Sequence, residues 1–256
     1  MKKILKLAIC AFVVLVIAQA FRQPSKPVIY LIGDSTVHNN DKVQWGWGSI
    51  LGSFFDENRI SVNNQAMAGR STRTFIKENR WHTVDSMLKP GDYVLMQFGH
   101  NEGSKPDTNK AGYRGVLRGT GNETVELTWK DGVKETVHTY GWYLRKFIRE
   151  TKAKGATPIV LSMIPRNQFK DGKVLRADSS YGKWAKEVAQ QENVAFVNLN
   201  SISADKYDKW GADSVKKFFP GDHTHTNKAG ATVNAQSVVE GIKANKSITL
   251  NKYLKK

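Results

Sequence analysis

Apolar residues in this chain gather into short unbroken runs, separated by stretches whose apolar positions recur at helical spacing. Val28-Ile-Tyr-Leu-Ile32 closes on Gly33, the pattern of a strand covered on both faces. Residues 60–62, 93–98, 158–163 and 194–197 read as further strands, that at 93–98 following a Pro90-Gly91 turn. Between them Tyr143, Leu144, Phe147 and Ile148 fall on one helical face that runs on to Gly155, and residues 181–192 and 229–243 carry two more helical patterns. Strands alternating with helices predict an α/β fold with a five-stranded, mostly parallel sheet. No linker rich in Pro, Gly or Ser divides the chain, so residues 21–256 read as one domain. One stretch breaks the rhythm. In 123–138, Val125, Leu127 and Trp129 alternate before Lys130-Asp131-Gly132, which predicts an inserted β-hairpin close to the strand ends.

The first twenty residues follow a different logic. Lys2, Lys3 and Lys6 precede an apolar run over 7–18, and Ala18-Gln19-Ala20 supplies small residues where a signal peptidase cuts. The run falls short of the roughly 20 apolar residues a membrane span needs, so it predicts a cleaved signal peptide over 1–20 and no stable membrane insertion. The expected mature chain is exported, periplasmic or secreted. The single cysteine, Cys10, lies inside that leader, which leaves no disulfide and no cysteine metal cluster to stabilise the rest.

Composition narrows the partners. With 40% hydrophobic residues the chain of 256 can bury a core, which excludes whole-chain disorder. The formal net charge is +16; without Lys2, Lys3 and Lys6 it is +13, a surface that favours polyanions. For an exported protein those are acidic polysaccharides before nucleic acid, which is set aside.

In parallel α/β sheets, ligands bind beyond the carboxyl ends of the strands. After the first run stands Gly33-Asp34-Ser35-Thr36, a serine on a tight glycine turn. After the second comes Asn64-Gln-Ala-Met-Ala-Gly-Arg-Ser71, where Gly69 lets backbone approach a ligand closely. After the third comes Gly99-His100-Asn101-Glu102, where Asn101 offers a side-chain amide. Near the C-terminus, Asp222 and His225 are three apart, so the carboxylate can orient the imidazole. His223-x-His225 beside Asp222 also has a metal ligand spacing. No second ligand cluster accompanies it, and neither a metal nor another cofactor is expected.

Taken together these segments resemble the SGNH (GDSL) hydrolase family, whose four blocks contribute Ser, Gly, Asn and His. Here they are Gly33-Asp34-Ser35, Gly69, Gly99-His100-Asn101 and Asp222-x-x-His225. Tyr30-Leu-Ile-Gly-Asp-Ser-Thr-Val37, residues 64–71, Thr139-Tyr-Gly-Trp-Tyr-Leu-Arg145 and Asp222-His-Thr-His-Thr226 are most similar to its rhamnogalacturonan acetylesterase branch. The resemblance implies a flavodoxin-like three-layer α/β/α sandwich that removes acetyl groups from an acidic pectic polysaccharide. Ser35, His225 and Asp222 would be the triad, and Ser35, Gly69 and Asn101 the oxyanion hole. Arg70, Arg73 and Arg166 are candidates to meet substrate carboxylates, Arg70 first, and Trp45, Trp47 and Trp81 to stack on sugars. The third block commonly ends in Asp, where Glu102 stands here. Two alternatives stay open: an esterase acting on xylan, another glycan or small acyl esters, and a non-catalytic binder of acidic polysaccharide.

Overall fold

The computed structural model describes residues 26–39 and 41–255; the leader expected over 1–20 lies outside them. In chain order the strands are β1 (Val28–Gly33), β2 (Ser61–Asn64), β3 (Tyr93–Gln97), β4 (Thr124–Thr128), β5 (Lys134–His138), β6 (Thr157–Leu161), β7 (Phe169–Lys170), β8 (Lys173–Val174) and β9 (Ala195–Val197). The described helices are α1 (Gly48–Leu51), α2 (Thr72–Lys77), α3 (Arg80–Met87), α4 (Tyr140–Ala153), α5 (Tyr181–Gln191), α6 (Leu199–Trp210), α7 (Ala212–Lys216) and α8 (Lys228–Ala244).

Five strands make one parallel sheet in the order β2-β1-β3-β6-β9. Counting only these five along the chain, the order is the 2-1-3-4-5 of flavodoxin-like folds, whose ligand crevice opens between the first and third strands. The side chains alternate strictly. Tyr30, Ile32, Val94, Met96 and Val160 pack into a core under α2–α5, and Ile29, Leu31, Tyr93, Leu95, Ile159 and Leu161 into a second core under α1 and α8. This is the expected three-layer α/β/α sandwich, and the double covering is why the strands read as continuous apolar runs.

The α4 stripe of Tyr140, Tyr143, Leu144, Phe147 and Ile148 is buried, and Thr139 caps the helix by accepting the Trp142 N–H at 3.1 Å. Phe147 joins an aromatic cluster whose ring centroids lie 5.5 Å (Phe75–Phe98), 5.8 Å (Phe98–Phe147) and 4.8 Å (Trp81–Phe147) apart. Each such fully buried side chain contributes about 1.5–3 kcal/mol. Because Phe75 lies on α2 and Phe98 just past β3, the cluster holds the loops after β2 and β3 in fixed relation. The short helices α1, α2 and α7 and the longer α3 and α6 have no counterpart among the expected elements. The buried face of α6 mixes Leu199 and Tyr207 with Asn200 and Ser203, and α3 buries only Trp81 and Val84, so neither shows an apolar stripe.

The β4–β5 hairpin turns through Asp131 and Gly132 and is tied to the body by one charge cluster. Arg73, 1% exposed, donates from Nε and Nη2 to the two Glu135 carboxylate oxygens at 2.7 and 2.9 Å. Its Nη1 donates to the carbonyls of Gly112 and Gly115 at 3.1 and 3.2 Å. Lys77 and the Trp129 indole N–H donate to Glu135 at 2.9 and 2.8 Å. These donors outweigh the effect of burial and hold the Glu135 carboxyl down at about 2. Arg73 therefore clamps three segments together: α2, the 103–116 loop and the hairpin.

Candidate active site

Ser35 follows β1 on a turn in which the Asp34 carbonyl accepts the N–H groups of Val37 and His38 at 3.1 and 3.0 Å. Gly33 admits no side chain. A Cβ there would sit 2.5 Å from the Gln97 carbonyl oxygen and 2.6 Å from the Val37 side chain, so glycine is what lets β1 turn this sharply against β3. Beneath the turn runs a buried polar chain. The Trp47 indole donates to Gln97 Oε1 at 2.8 Å, Gln97 Nε2 to Thr36 Oγ1 at 2.8 Å, and Thr36 Oγ1 to Asp34 Oδ1 at 2.7 Å. Satisfied in series, these groups hold Ser35 rigidly at the carboxyl end of the sheet. Among the described residues the backbone N–H of Ser35 donates to no carbonyl, and neither does that of Gly69.

The Ser35 hydroxyl meets His225 Nε2 at 2.7 Å across 190 residues. On the ring's other side, Nδ1 meets Asp222 Oδ2 at 2.6 Å, while Asp222 Oδ1 accepts the backbone N–H groups of Thr224 and His225 at 2.6 and 2.8 Å. Partial burial raises the Asp222 carboxyl, but the bonds from the His225 ring and these N–H groups prevail and bring it to about 2. An ionised Asp222 requires the proton on Nδ1, which leaves Nε2 as a base facing the hydroxyl. The 222–225 segment is itself held in place by pairing of Thr226 with Trp45, whose N–H donates to the Thr226 carbonyl at 2.6 Å.

Gly69 and Asn101 lie on the loops that follow β2 and β3. Gly69 has φ +76°, a left-handed backbone that glycine adopts without strain. Asn101 Nδ2 donates to the Arg70 carbonyl at 3.1 Å, and its Oδ1 accepts from Arg114 Nη1 at 2.9 Å. The residue after it is buried. Glu102 accepts the N–H of Thr72, at the start of α2, and that of Asn101, both at 2.9 Å. One carboxyl thus joins the loop after β2 to the loop after β3.

Of the cations expected near substrate, two are used elsewhere. Arg73 is interior, as described above, and so does not face substrate. Arg70 donates to Glu78 Oε2 at 2.8 Å and to the Ala68 carbonyl at 2.9 Å, so its contribution to the site is its carbonyl on Asn101. Arg166 does lie beside the site. Its guanidinium contacts His100 Nδ1 at 3.5 Å, the His100 carbonyl at 3.3 Å and His223 Nε2 at 3.5 Å, and among the described residues no carboxylate. His223 thus faces Arg166, and among the described residues no three His, Cys, Asp or Glu side chains converge as a metal site would require. Trp47 and Trp81 are core residues, 1% and 3% exposed, which leaves Trp45 as the one of the three tryptophans beside His225. Arg114 is the functional candidate that sequence reasoning missed: it sits in a loop without periodicity, and no local signal marks it.

Two buried carboxyls under the site are strongly perturbed. Burial, and then the charge of Asp34, push Glu102 up to about 8. Burial pushes Asp34 to about 6 against the opposing Thr36 hydroxyl and N–H. Burial, reinforced by the charge of Arg166, brings His100 down to about 3, so it is neutral. A carboxyl whose folded value lies above its unfolded value holds its proton more tightly when folded. Its stabilising contribution is complete below the unfolded value and is lost as pH rises through the folded one. The melting temperature should therefore fall between about pH 5 and pH 8, as Glu102 is forced to ionise. Thermal denaturation of Glu102→Gln across that range checks this: its slope should be shallower than wild type, and an equal slope refutes the assignment.

The family model for GDSL-like lipase/acylhydrolases matches residues 29–238. A rhamnogalacturonan acetylesterase of Emericella nidulans is 33% identical over 214 residues, covering 84% of each chain. A probable rhamnogalacturonan acetylesterase of Bacillus subtilis, YesY, is 32% identical over 222 residues, 84% of this chain and 92% of that one. Among solved structures, protein YxiM of Bacillus subtilis superposes with a TM-score of 0.70 at 25% identity, covering 88% of this chain; the chain spans 58% of that structure's length. The chain belongs to the GDSL-like lipase/acylhydrolase family and is a carboxylic ester hydrolase.

Proposed function

We propose that this enzyme removes acetyl groups from an acidic pectic polysaccharide, rhamnogalacturonan first, with Ser35 as nucleophile. The observation that carries the reading is the Ser35–His225–Asp222 series, with contacts of 2.7 and 2.6 Å, at the crevice end of the sheet. His225 Nε2 takes the Ser35 proton as Oγ bonds to the acetyl carbonyl carbon. The negative oxygen so formed is met by the Ser35 and Gly69 N–H groups and by the Asn101 amide. One such preorganised donor lowers the barrier by roughly 3–4 kcal/mol, about a hundred- to a thousandfold in rate. The imidazolium then gives its proton to the departing sugar oxygen, leaving acetyl-Ser35. Water, deprotonated by the same nitrogen, attacks the acetyl group, and acetate leaves as Ser35 recovers its proton.

The activity for which the two relatives are named supports the pectic substrate, and so does charge. Rhamnogalacturonan carries galacturonate at alternate sugars, and Arg166, which among the described residues contacts no carboxylate, is a cation of this site suited to bind one. The half-buried Trp45 ring, with Lys228 Nζ 5.2 Å above its centroid, offers a sugar platform beside His225. The basic leader supports an exported enzyme that meets such polymers outside the cytoplasm.

Acetate release from acetylated rhamnogalacturonan, acetylated homogalacturonan and acetylxylan, with Ser35→Ala as the blank, tests the proposal. Rhamnogalacturonan should be the best substrate. Raising the salt from about 0.05 to 0.5 M should raise KM severalfold on that polymer and leave KM on neutral 4-nitrophenyl acetate unchanged, since screening acts on charge. Preference for xylan, or equal salt responses, would refute the acidic substrate; no acetate release from any of them would favour a binder.

A further inference from the structure

The side-chain amide of Asn101 is useful to an oxyanion only if its nitrogen, not its oxygen, faces the reacting carbonyl. The amide has one acceptor and two N–H groups to satisfy. One N–H is taken by the Arg70 carbonyl at 3.1 Å, and the oxygen is taken by Arg114 Nη1 at 2.9 Å. That leaves one N–H unassigned. The guanidinium also reaches toward the Gly69 carbonyl at 3.5 Å, so it bridges the loops that carry Gly69 and Asn101. Arg114 is exposed and, among the described residues, bonds to no carboxylate.

We infer that Arg114 is a positioning residue for the oxyanion hole, fixing the Asn101 amide with its free N–H toward the acyl oxygen. The inference rests on the esterase reading above and deepens it. Arginine suits the task because it only donates: a flipped amide would turn its NH2 toward the guanidinium, and the two donors would repel. Arg114 is delivered by a long irregular loop, and the loop is held by the Arg73 bonds to the carbonyls of Gly112 and Gly115. Since Arg73 is itself anchored on Glu135 of the hairpin, the hairpin acquires a function: it steadies the loop that carries Arg114.

The test is a double-mutant cycle on neutral 4-nitrophenyl acetate, which removes any role of Arg114 in binding an acidic polymer. Arg114→Ala should lower kcat by about tenfold with KM within twofold, and Arg114→Lys, which still donates, should recover part of the loss. Asn101→Ala should lower kcat about a hundredfold or more, and adding Arg114→Ala to it should change kcat by less than threefold, because the amide to be positioned is gone. Multiplicative losses in the double variant, or a wild-type kcat in Arg114→Ala, would overturn the inference. Because Arg114 is exposed, its truncation leaves the core untouched, and unchanged melting temperatures confirm that. Failure of the underlying reading looks different: Ser35→Ala would then hydrolyse the ester as wild type does.

Discussion

Replacing Ser35 with alanine should lower kcat for acetyl ester hydrolysis by roughly 10⁵- to 10⁶-fold, because nucleophile and base act as one unit and removing either forfeits most of what the set provides. The residue left behind would still have the N–H cradle and the Asn101 amide, so a small acceleration over water should persist. Stability should barely change. Ser35 makes one side-chain hydrogen bond, to a partly exposed imidazole that keeps its bond to Asp222, so the melting temperature should stay within about 2 °C of wild type, as for a loss under ~0.5 kcal/mol. Activity assays and thermal denaturation on one preparation separate the two effects. A variant that hydrolyses at even a tenth of the wild-type rate would remove Ser35 from the mechanism.

Asp222→Asn should cost about 10⁴-fold in kcat although it deletes no more than a charge. The geometry dictates how the amide would sit. Asp222 Oδ1 accepts two backbone N–H groups, so in the variant the oxygen must stay there and the NH2 must take the Oδ2 position against His225 Nδ1. A donor at that place forces the ring proton onto Nε2, and Nε2 then presents a proton to Ser35 where a lone pair is needed. The loss should appear in kcat with KM little changed. It should shrink at high pH, where a larger fraction of Ser35 reacts without the base. An Asp222→Asn enzyme retaining more than a tenth of wild-type kcat would show that the carboxylate is not what orients this histidine.

Much of this arrangement was legible in the chain. The three inner strands β1, β3 and β6 announce themselves because they are covered on both faces and read as apolar runs, and the residues just past β1, β2 and β3 then fall at the crevice by topology alone. The pairing of Asp222 with His225 is local, three residues apart. What could not be read depends on how distant segments meet. Arg73 looks like a surface cation two positions beyond a serine N-cap; in the fold it turns inward and finds Glu135, 62 residues on. Arg70 finds Glu78 through the course of α2, a helix too short and mixed to register as a pattern. Trp47 and Trp81 resemble Trp45 as letters, and only packing separates the two core residues from the one beside the site. Arg114 reaches Asn101 because the 103–116 loop folds back over Gly69, a path set by Arg73 and by no periodicity in the loop.

The account depends on Ser35 becoming covalently bonded to substrate, and intact-protein and peptide mass measurement after reaction with a serine-directed organophosphate addresses that bond directly. One phosphoryl group per chain, located on the peptide carrying Ser35 and absent from Asp222→Asn over the same exposure, is the predicted result. No incorporation, or a label on any other residue while esterase activity disappears, would contradict it.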